Sequence, residues 1–211
     1  MKNVVKISIL TATMMVAVNF FSGCSKDDLP ALVSGGFNGR ITATVNPETW
    51  DLSPIKYVIA WNDPVIDTER GLLLGEQMGD PVSFSSNKFT INLPDPLPSS
   101  IDMVEIKYAF ENILSISGTL KYSNPKALVA DVEFLAHTDT HFVGFFQNAT
   151  ADKKTTCFYI YVDGDVTVTG GSNISVSFKA GWNRIYHTEG GNGKYTTKAP
   201  EEDFFWYYDN F

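Results

Sequence analysis

Short stretches in which every second residue is apolar recur along this chain, and they constrain its fold more than any other feature. In residues 37–45, the side chains at 41, 43 and 45 are apolar and those at 40, 42 and 44 are polar. Successive side chains of a strand point to opposite faces, so this period of two predicts a strand with one buried face. Similar or mostly apolar stretches predict further strands at residues 55–61, 89–93, 104–110, 114–122, 128–136, 141–147, 157–162, 166–170, 174–178, 182–187 and 204–208.

The predicted strands are separated by turns rich in proline, glycine and asparagine, and no segment has a convincing helical period. This pattern predicts an all-β, antiparallel β-sandwich of the immunoglobulin-like or transthyretin-like type, with a lipocalin-like β-barrel as the alternative. We assign residues 37–211 to a single domain. The proline-rich connection at 94–98 leaves open a division into 37–98 and 99–211, but strands on both sides have one polar face, which favours one continuous sandwich.

Three stretches depart from the simple pattern. Glycines disfavour a helix between residues 65 and 80, which we interpret as an irregular excursion with at most one helical turn. Residues 142–146 are apolar on both faces, so we expect that strand to be covered on both sides. Residues 163–165 either form a three-residue hairpin loop that pairs Val162 with Val166, or join two strands that are not neighbours.

The N-terminal segment has the three parts of a secretory signal. Two lysines precede an apolar run over residues 7–21, and small residues then lead to Cys24. The run is shorter than the roughly 20 apolar residues that a membrane-spanning helix needs. The tetrapeptide Phe21-Ser22-Gly23-Cys24 resembles a bacterial lipobox, which implies cleavage after residue 23 and acylation of Cys24.

The resemblance continues after the cysteine. Ser25-Lys26-Asp27-Asp28 is similar to the export signal of Bacteroidetes-type lipoproteins, which are carried to the outer face of the outer membrane. It implies a signal peptide at 1–23, a lipidated tether at 24–36, and a lipid-bilayer partner reached through acyl chains, palmitate among them, on Cys24. Each buried CH₂ contributes about 0.8 kcal/mol, so two or more chains hold a protein stably where one holds it reversibly.

The acidic balance of the chain excludes one class of partner. The formal net charge is −8 at pH 7, and loss of the signal with its two lysines makes it −10. Nucleic acid is recognised through a basic footprint that neutralises phosphates, so we expect no nucleic-acid partner. Acylation of Cys24 leaves Cys157 without a disulfide partner within the chain, and its strand-like surroundings predict a small buried hydrophobe.

One segment resembles a metal site, namely His137-Thr138-Asp139-Thr140-His141. Alternate residues of a strand share a face, so His137, Asp139 and His141 would converge if the segment were extended. Thr-Asp-Thr is more typical of a turn, where these side chains bond to nearby backbone. We therefore predict no metal and no cofactor, and these three residues are the candidates if a metal is bound.

Four tryptophans are the candidate ligand-binding residues: Trp50, Trp61, Trp182 and Trp206. Exposed indole rings stack on sugar rings or anchor protein interfaces, whereas buried ones fill a core. Trp50 lies in a polar connection and is the tryptophan that we most expect to be exposed.

Catalytic motifs are absent from the sequence, which has no Gly-x-Ser-x-Gly elbow, no His-Glu-x-x-His pair and no nucleotide-binding glycine loop. We therefore expect a non-enzymatic outer-membrane lipoprotein that faces the extracellular side and binds a glycan or an envelope partner. The alternatives are a structural subunit of a fimbria-like surface assembly and a metal-dependent hydrolase that uses His137 and His141.

Overall fold

A computed structural model of the chain describes residues 37–47, 50–62, 65–67, 71–73, 75–114, 116, 118–171, 173–190 and 193–210. The predicted signal peptide and tether, with Cys24, lie outside these residues. Within the described ranges, no helix is both long and apolar enough to cross a membrane.

Seventeen strands and one short helical segment account for the described secondary structure. The first eight strands are β1 (Arg40–Asn46), β2 (Tyr57–Asn62), β3 (Val65–Asp67), β4 (Gly71–Leu73), β5 (Glu76–Gln77), β6 (Val82–Ser83), β7 (Lys88–Asn92) and β8 (Val104–Glu105). The helical segment consists of α1 (Ile106–Tyr108) and a π-helical turn (Ala109–Ile113). The remaining strands are β9 (Leu120–Tyr122), β10 (Leu128–His137), β11 (Phe142–Thr150), β12 (Thr155–Val162), β13 (Val166–Gly170), β14 (Ile174–Phe178), β15 (Gly181–Thr188), β16 (Lys194–Thr196) and β17 (Phe204–Asn210).

Almost all of these strands belong to one large sheet, which confirms the all-β sandwich prediction. The order is β7-β1-β17-β11-β10-β12-β15-β16-β14-β13-β9, with β2 and β8 also on β10, and β5 and β6 on β2. Most neighbours are antiparallel, but β1–β17 and β14–β16 are parallel, so the sheet is mixed. The two ends of the order, β7 and β9, do not pair among the described residues, and the sheet is not closed into a barrel.

Strands from before and after the proline connection pair with each other. β1 joins β17 at Val45↔Trp206, and β2 joins β10 at Ala60↔Phe134. The segments on the two sides of residues 94–98 therefore contribute to the same sheet.

Two hydrophobic cores lie on opposite faces of the central strands. Along β12, Cys157 and Tyr159 point into the first core, whereas Ile160 and Val162 point into the second. The first core also takes buried residues from β1, β2, β7, β11 and β17, and the second takes them from β13, β14 and α1. Strand β12 therefore contributes to a core on each of its faces, although Phe158 on the second of these faces is 44% exposed.

The predictions for 104–110 and 114–122 are wrong in part. The strand at 104 ends at Glu105, and a helical segment follows it. Ile106, Ala109 and Phe110 are buried there, and their i, i+3, i+4 spacing fits one helical turn as well as alternation fits a strand. In the second stretch, residues 120–122 form the described strand.

The structure gives a different outcome for each of the three stretches that depart from the simple pattern. β12 and β13 are not neighbours, because β12 pairs with β10, β11 and β15 while β13 pairs with β14 and β9, so the second alternative for 163–165 is confirmed. Residues 65–67 and 71–73 form an antiparallel strand pair in place of a helical turn. On β11, Phe146 is buried, but Phe142 is 37% exposed and Val143 and Phe145 are half-buried, so that strand is not fully covered on both sides.

Candidate functional site

The four tryptophans divide between surface and core. Trp50 is 44% exposed, as its polar connection predicts, whereas Trp182 is 1% exposed and Trp206 is 7% exposed. The indole N–H of Trp182 donates to the carbonyl oxygen of Pro94 at 2.8 Å, and Trp206 packs against other rings of the first core. Trp182 and Trp206 are thus core residues, and their assignment as ligand-binding residues is corrected. Trp61 is half-buried on β2 opposite Glu133.

Two open grooves flank Trp50. The apolar groove, of about 560 Å³, is lined by Trp50, Asp51, Pro54, Ile55, His141, Phe142, Val143, Tyr208 and Asn210. The polar groove, of about 510 Å³, is lined by Pro47, Trp50, Asp51, Leu52, Ser53, Ile55, Lys56, Phe84, Ser85, Ser86 and Asn87. Trp50, Asp51 and Ile55 line both grooves, so the indole forms a ridge between them.

The connection that carries Trp50 is folded tightly against the first core. The Trp50 N–H donates to the Pro47 carbonyl at 3.2 Å, and the Ile55 N–H donates to the Leu52 carbonyl at 3.1 Å. Leu52 and Ile55 are buried, so they hold the connection on the core while Trp50 stays at the surface. The indole also meets the Tyr208 ring edge-on at 6.2 Å between centroids.

A hairpin turn forms one wall of the polar groove. Ser85 and Lys88 exchange backbone hydrogen bonds of 3.0 and 2.9 Å, and the intervening Ser86 and Asn87 have φ of 52° and 58°. Asparagine tolerates this left-handed region, which is typical of two-residue hairpin turns. The Asn87 carbonyl accepts from the Val45 N–H at 2.7 Å, so the turn is fixed to β1.

The turn between β10 and β11 forms a wall of the apolar groove. The Thr138 N–H donates to the His141 carbonyl at 3.0 Å, and the Thr138 and Thr140 hydroxyls lie 3.2 and 2.9 Å from His141 Nδ1. These bonds hold the His141 ring at the mouth of the groove. On the opposite wall, the Tyr208 hydroxyl donates to the Val143 carbonyl at 2.7 Å, which fixes that ring as well.

The histidine segment forms a turn between β10 and β11. Burial and the nearby His141 lower the pKa of His137. Across the described residues, no group of three histidine, cysteine, aspartate or glutamate side chains is placed to hold a metal ion. The chain turns at Thr138, as the Thr-Asp-Thr pattern predicts, so His137, Asp139 and His141 do not lie along one extended strand.

Cys157 is buried in the first core, as predicted. Burial raises the pKa of its thiol to about 12, and the Arg184 guanidinium offsets this only in part. Because the thiolate is the nucleophilic form, a thiol of this kind is inert at neutral pH.

The two grooves together are suited to non-covalent recognition. An exposed indole and a partly exposed Phe142 offer apolar faces, while hydroxyl, amide, carboxylate and amine groups surround the polar groove. Of the lining residues, the sequence pointed to Trp50 and His141. Phe142, Tyr208 and Asn87 were missed as site residues, although Ser86-Asn87 is a recognisable turn signal, because nothing local shows that this turn lies beside Trp50.

Comparison with known proteins adds nothing to this description, since no family model, no curated protein and no solved structure matches the chain.

Proposed function

We propose that this protein is a surface-exposed outer-membrane lipoprotein that acts as a non-enzymatic binding module, recognising a glycan or an envelope partner at the grooves beside Trp50. Acyl chains on Cys24 would hold it in the bilayer, and residues 24–36 would form the tether.

The observation that carries the proposal is the position of Trp50. A large aromatic side chain is 44% exposed on a connection that buried Leu52 and Ile55 attach to the first core, and it lines two grooves. Aromatic anchors that are fixed before binding lose little entropy when the ligand arrives. Such an arrangement favours recognition without requiring any reacting group.

The lipid anchor is tested by labelling cells that express the chain with radioactive palmitate. We expect label in the wild-type protein and none in the Cys24→Ser variant, and we expect protease added to intact cells to digest the folded domain. Label that persists in the Cys24→Ser variant would contradict the anchor, and protection from protease would contradict the extracellular orientation.

Recognition is tested with a glycan array and with pull-downs from an envelope fraction. We expect a partner whose binding is lost with Trp50→Ala and kept with Phe158→Ala, because Phe158 is equally exposed at 44% but lines neither groove. Binding that ignores Trp50, or any measured turnover by the purified protein, would contradict the proposal.

One observation favours the second candidate, a structural subunit of a fimbria-like assembly. β7 stands at one end of the strand order and is paired with β1, and β1 in turn joins β17 at the pairs Val45↔Trp206 and Asn46↔Tyr207. Only two residue pairs are described between β1 and β17. The β7–β1 pair at the end of the sheet could therefore be exchanged between copies of the chain. Light scattering that shows monomers at every concentration would count against this candidate.

A further inference from the structure

We propose that the ligand is a neutral, unbranched glycan that crosses over Trp50 and occupies both grooves at once. This inference rests on the proposed function, which locates recognition at Trp50, and it adds the chemical class of the ligand and the way it lies.

The first argument is the continuity of the two grooves. They share Trp50, Asp51 and Ile55, so a chain that leaves one groove passes over the indole directly into the other. Each volume, about 560 and 510 Å³, lies within the range of about 300–1,000 Å³ typical of small-molecule sites. Because both grooves are open to solvent, an extended polymer is not confined to either of them.

The second argument is the different chemistry of the two walls. A sugar ring has an apolar face of C–H groups and a rim of hydroxyls, so one polymer satisfies both kinds of wall. The apolar groove offers the rings of Trp50 and Phe142 and the side chain of Pro54. The polar groove offers hydroxyls, an amide, a carboxylate and an amine, from Ser53, Ser85, Ser86, Asn87, Asp51 and Lys56.

The third argument distinguishes a glycan from an extended peptide. A peptide that adds to a sheet needs unpaired backbone groups along an edge. At the wall of the polar groove, the backbone groups of Ser85 and Lys88 already bond to each other, and the Asn87 carbonyl already accepts from Val45. These backbone groups are therefore not available to an added strand, whereas the side chains of Ser85, Ser86 and Asn87 line the groove.

Charge then selects a neutral glycan over an acidic one. The lining contains one carboxylate, on Asp51, one ammonium, on Lys56, and one imidazole, on His141, so these residues form no cluster of cationic side chains that would bind a polyanion. The whole chain carries a formal charge of −8 at pH 7, which opposes the approach of a polyanion.

The experiment is a calorimetric titration of the full chain with neutral gluco- and manno-oligosaccharides of increasing length, from disaccharides upward. Acidic polygalacturonate fragments and an extended peptide serve as competing probes. We expect affinity to rise with length until both grooves are filled and then to stay constant, with little dependence on salt. Trp50→Ala should weaken binding of the long chain about tenfold or more.

Two further variants address one groove each. Phe142→Ala removes a ring from the apolar groove, and Asn87→Gly removes the amide from the polar groove while glycine keeps the left-handed backbone of the turn. Each should abolish most of the gain in affinity with length, whereas Phe158→Ala should change nothing. Circular dichroism of each variant checks that it is folded.

Several outcomes would overturn the inference. A disaccharide that binds as tightly as the long chain excludes a ligand that spans both grooves. Binding of polygalacturonate or peptide only, or of no neutral series at all, excludes the neutral glycan. If another partner still binds in a way that depends on Trp50, the proposed function stands and only the glycan inference is excluded. Binding that is unchanged by Trp50→Ala excludes both.

Discussion

The first and second cores differ in composition and in the surface above them. The first is rich in aromatic rings, with Phe89, Phe134, Phe146, Tyr159 and Trp206 linked by ring contacts of 5.3–6.2 Å between centroids. The second consists mainly of valine and isoleucine, with one pair of phenylalanine rings, Phe110 and Phe178, at 6.3 Å. Both described grooves lie at the first core, while the outer face of β13 and β14, above the second core, presents exposed threonine and serine side chains.

This difference has a physical basis. β-branched side chains fit a pleated surface with few rotamers, so a core built from them closes between regular strands. The connection with Trp50 and the turn at 85–88 pack on the aromatic first core, through Leu52, Ile55 and Phe84. The second core therefore supports the central strands, and the first core supports the candidate binding site.

The largest expected effect tests how β9 packs against β13, a strand of the second core at one end of the sheet. A Cβ added at Gly170 would overlap the carbonyl oxygen of Thr119 on the way into β9, and its φ of +126° already disfavours other residues. We expect Gly170→Ala to lower the free energy of unfolding by about 3 kcal/mol. Gly164→Ala is the control, because nothing lies within 4 Å of a Cβ there. Urea denaturation measures the stability of both variants. Equal midpoints would contradict the close approach of Gly170 to the backbone that leads into β9.

The next effect compares the ring networks of the two cores. Phe89 and Phe178 are both buried, but Phe89 contacts Phe134, Phe146 and Trp206, whereas Phe178 contacts Phe110. Aromatic pairs add about 0.5–1.5 kcal/mol beyond burial. We expect Phe89→Leu to cost about 2–3 kcal/mol and Phe178→Leu about 1 kcal/mol in unfolding free energy. Similar losses for the two variants would show that ring contacts do not distinguish the cores.

The same contrast explains how much of the fold could be predicted. Strands such as β1 and β14, with one buried and one solvated face, follow directly from alternation. The secondary structure of residues 106–110 could not be predicted, because the spacing of Ile106, Ala109 and Phe110 fits both a helical turn and a half-buried strand. At the site, the exposure of Trp50 follows from its polar neighbours. The grooves do not, because they depend on contacts between segments far apart in the chain, such as Trp50 with Tyr208.

A smaller effect concerns the pH dependence of stability. Burial lowers the pKa of both His137, near the apolar groove, and His187, on β15. The unfolded chain therefore takes up protons first as the pH falls below about 6.5, so stability is full above that pH and is lost as the pH falls through the two folded pKa values. We expect His137→Gln and His187→Gln each to reduce this loss, as measured by urea midpoints between about pH 7.5 and 5.5.

The control for this prediction is Asp152→Asn. Hydrogen bonds from the Lys154 backbone and the Thr150 hydroxyl lower the pKa of the Asp152 carboxyl to about 2. A carboxyl of this kind stabilises the fold above its unfolded pKa near 4 and loses that contribution only in acid. The slope between pH 7.5 and 5.5 should therefore be unchanged in Asp152→Asn, and a change would assign the slope to groups other than the histidines.

The smallest expected effect on stability separates the candidate site from the core beneath it. Trp50 is 44% exposed and makes an edge-on contact with the Tyr208 ring. Trp206, on the same strand as Tyr208, is 7% exposed and packs among several rings. We expect Trp50→Ala to change the unfolding free energy by no more than about 0.5 kcal/mol, as surface substitutions usually do. Acrylamide should quench less tryptophan fluorescence in this variant than in the wild type, because the exposed indole is gone. A large loss of stability would show that Trp50 stabilises the fold as a core residue, which would contradict its assignment to the binding site.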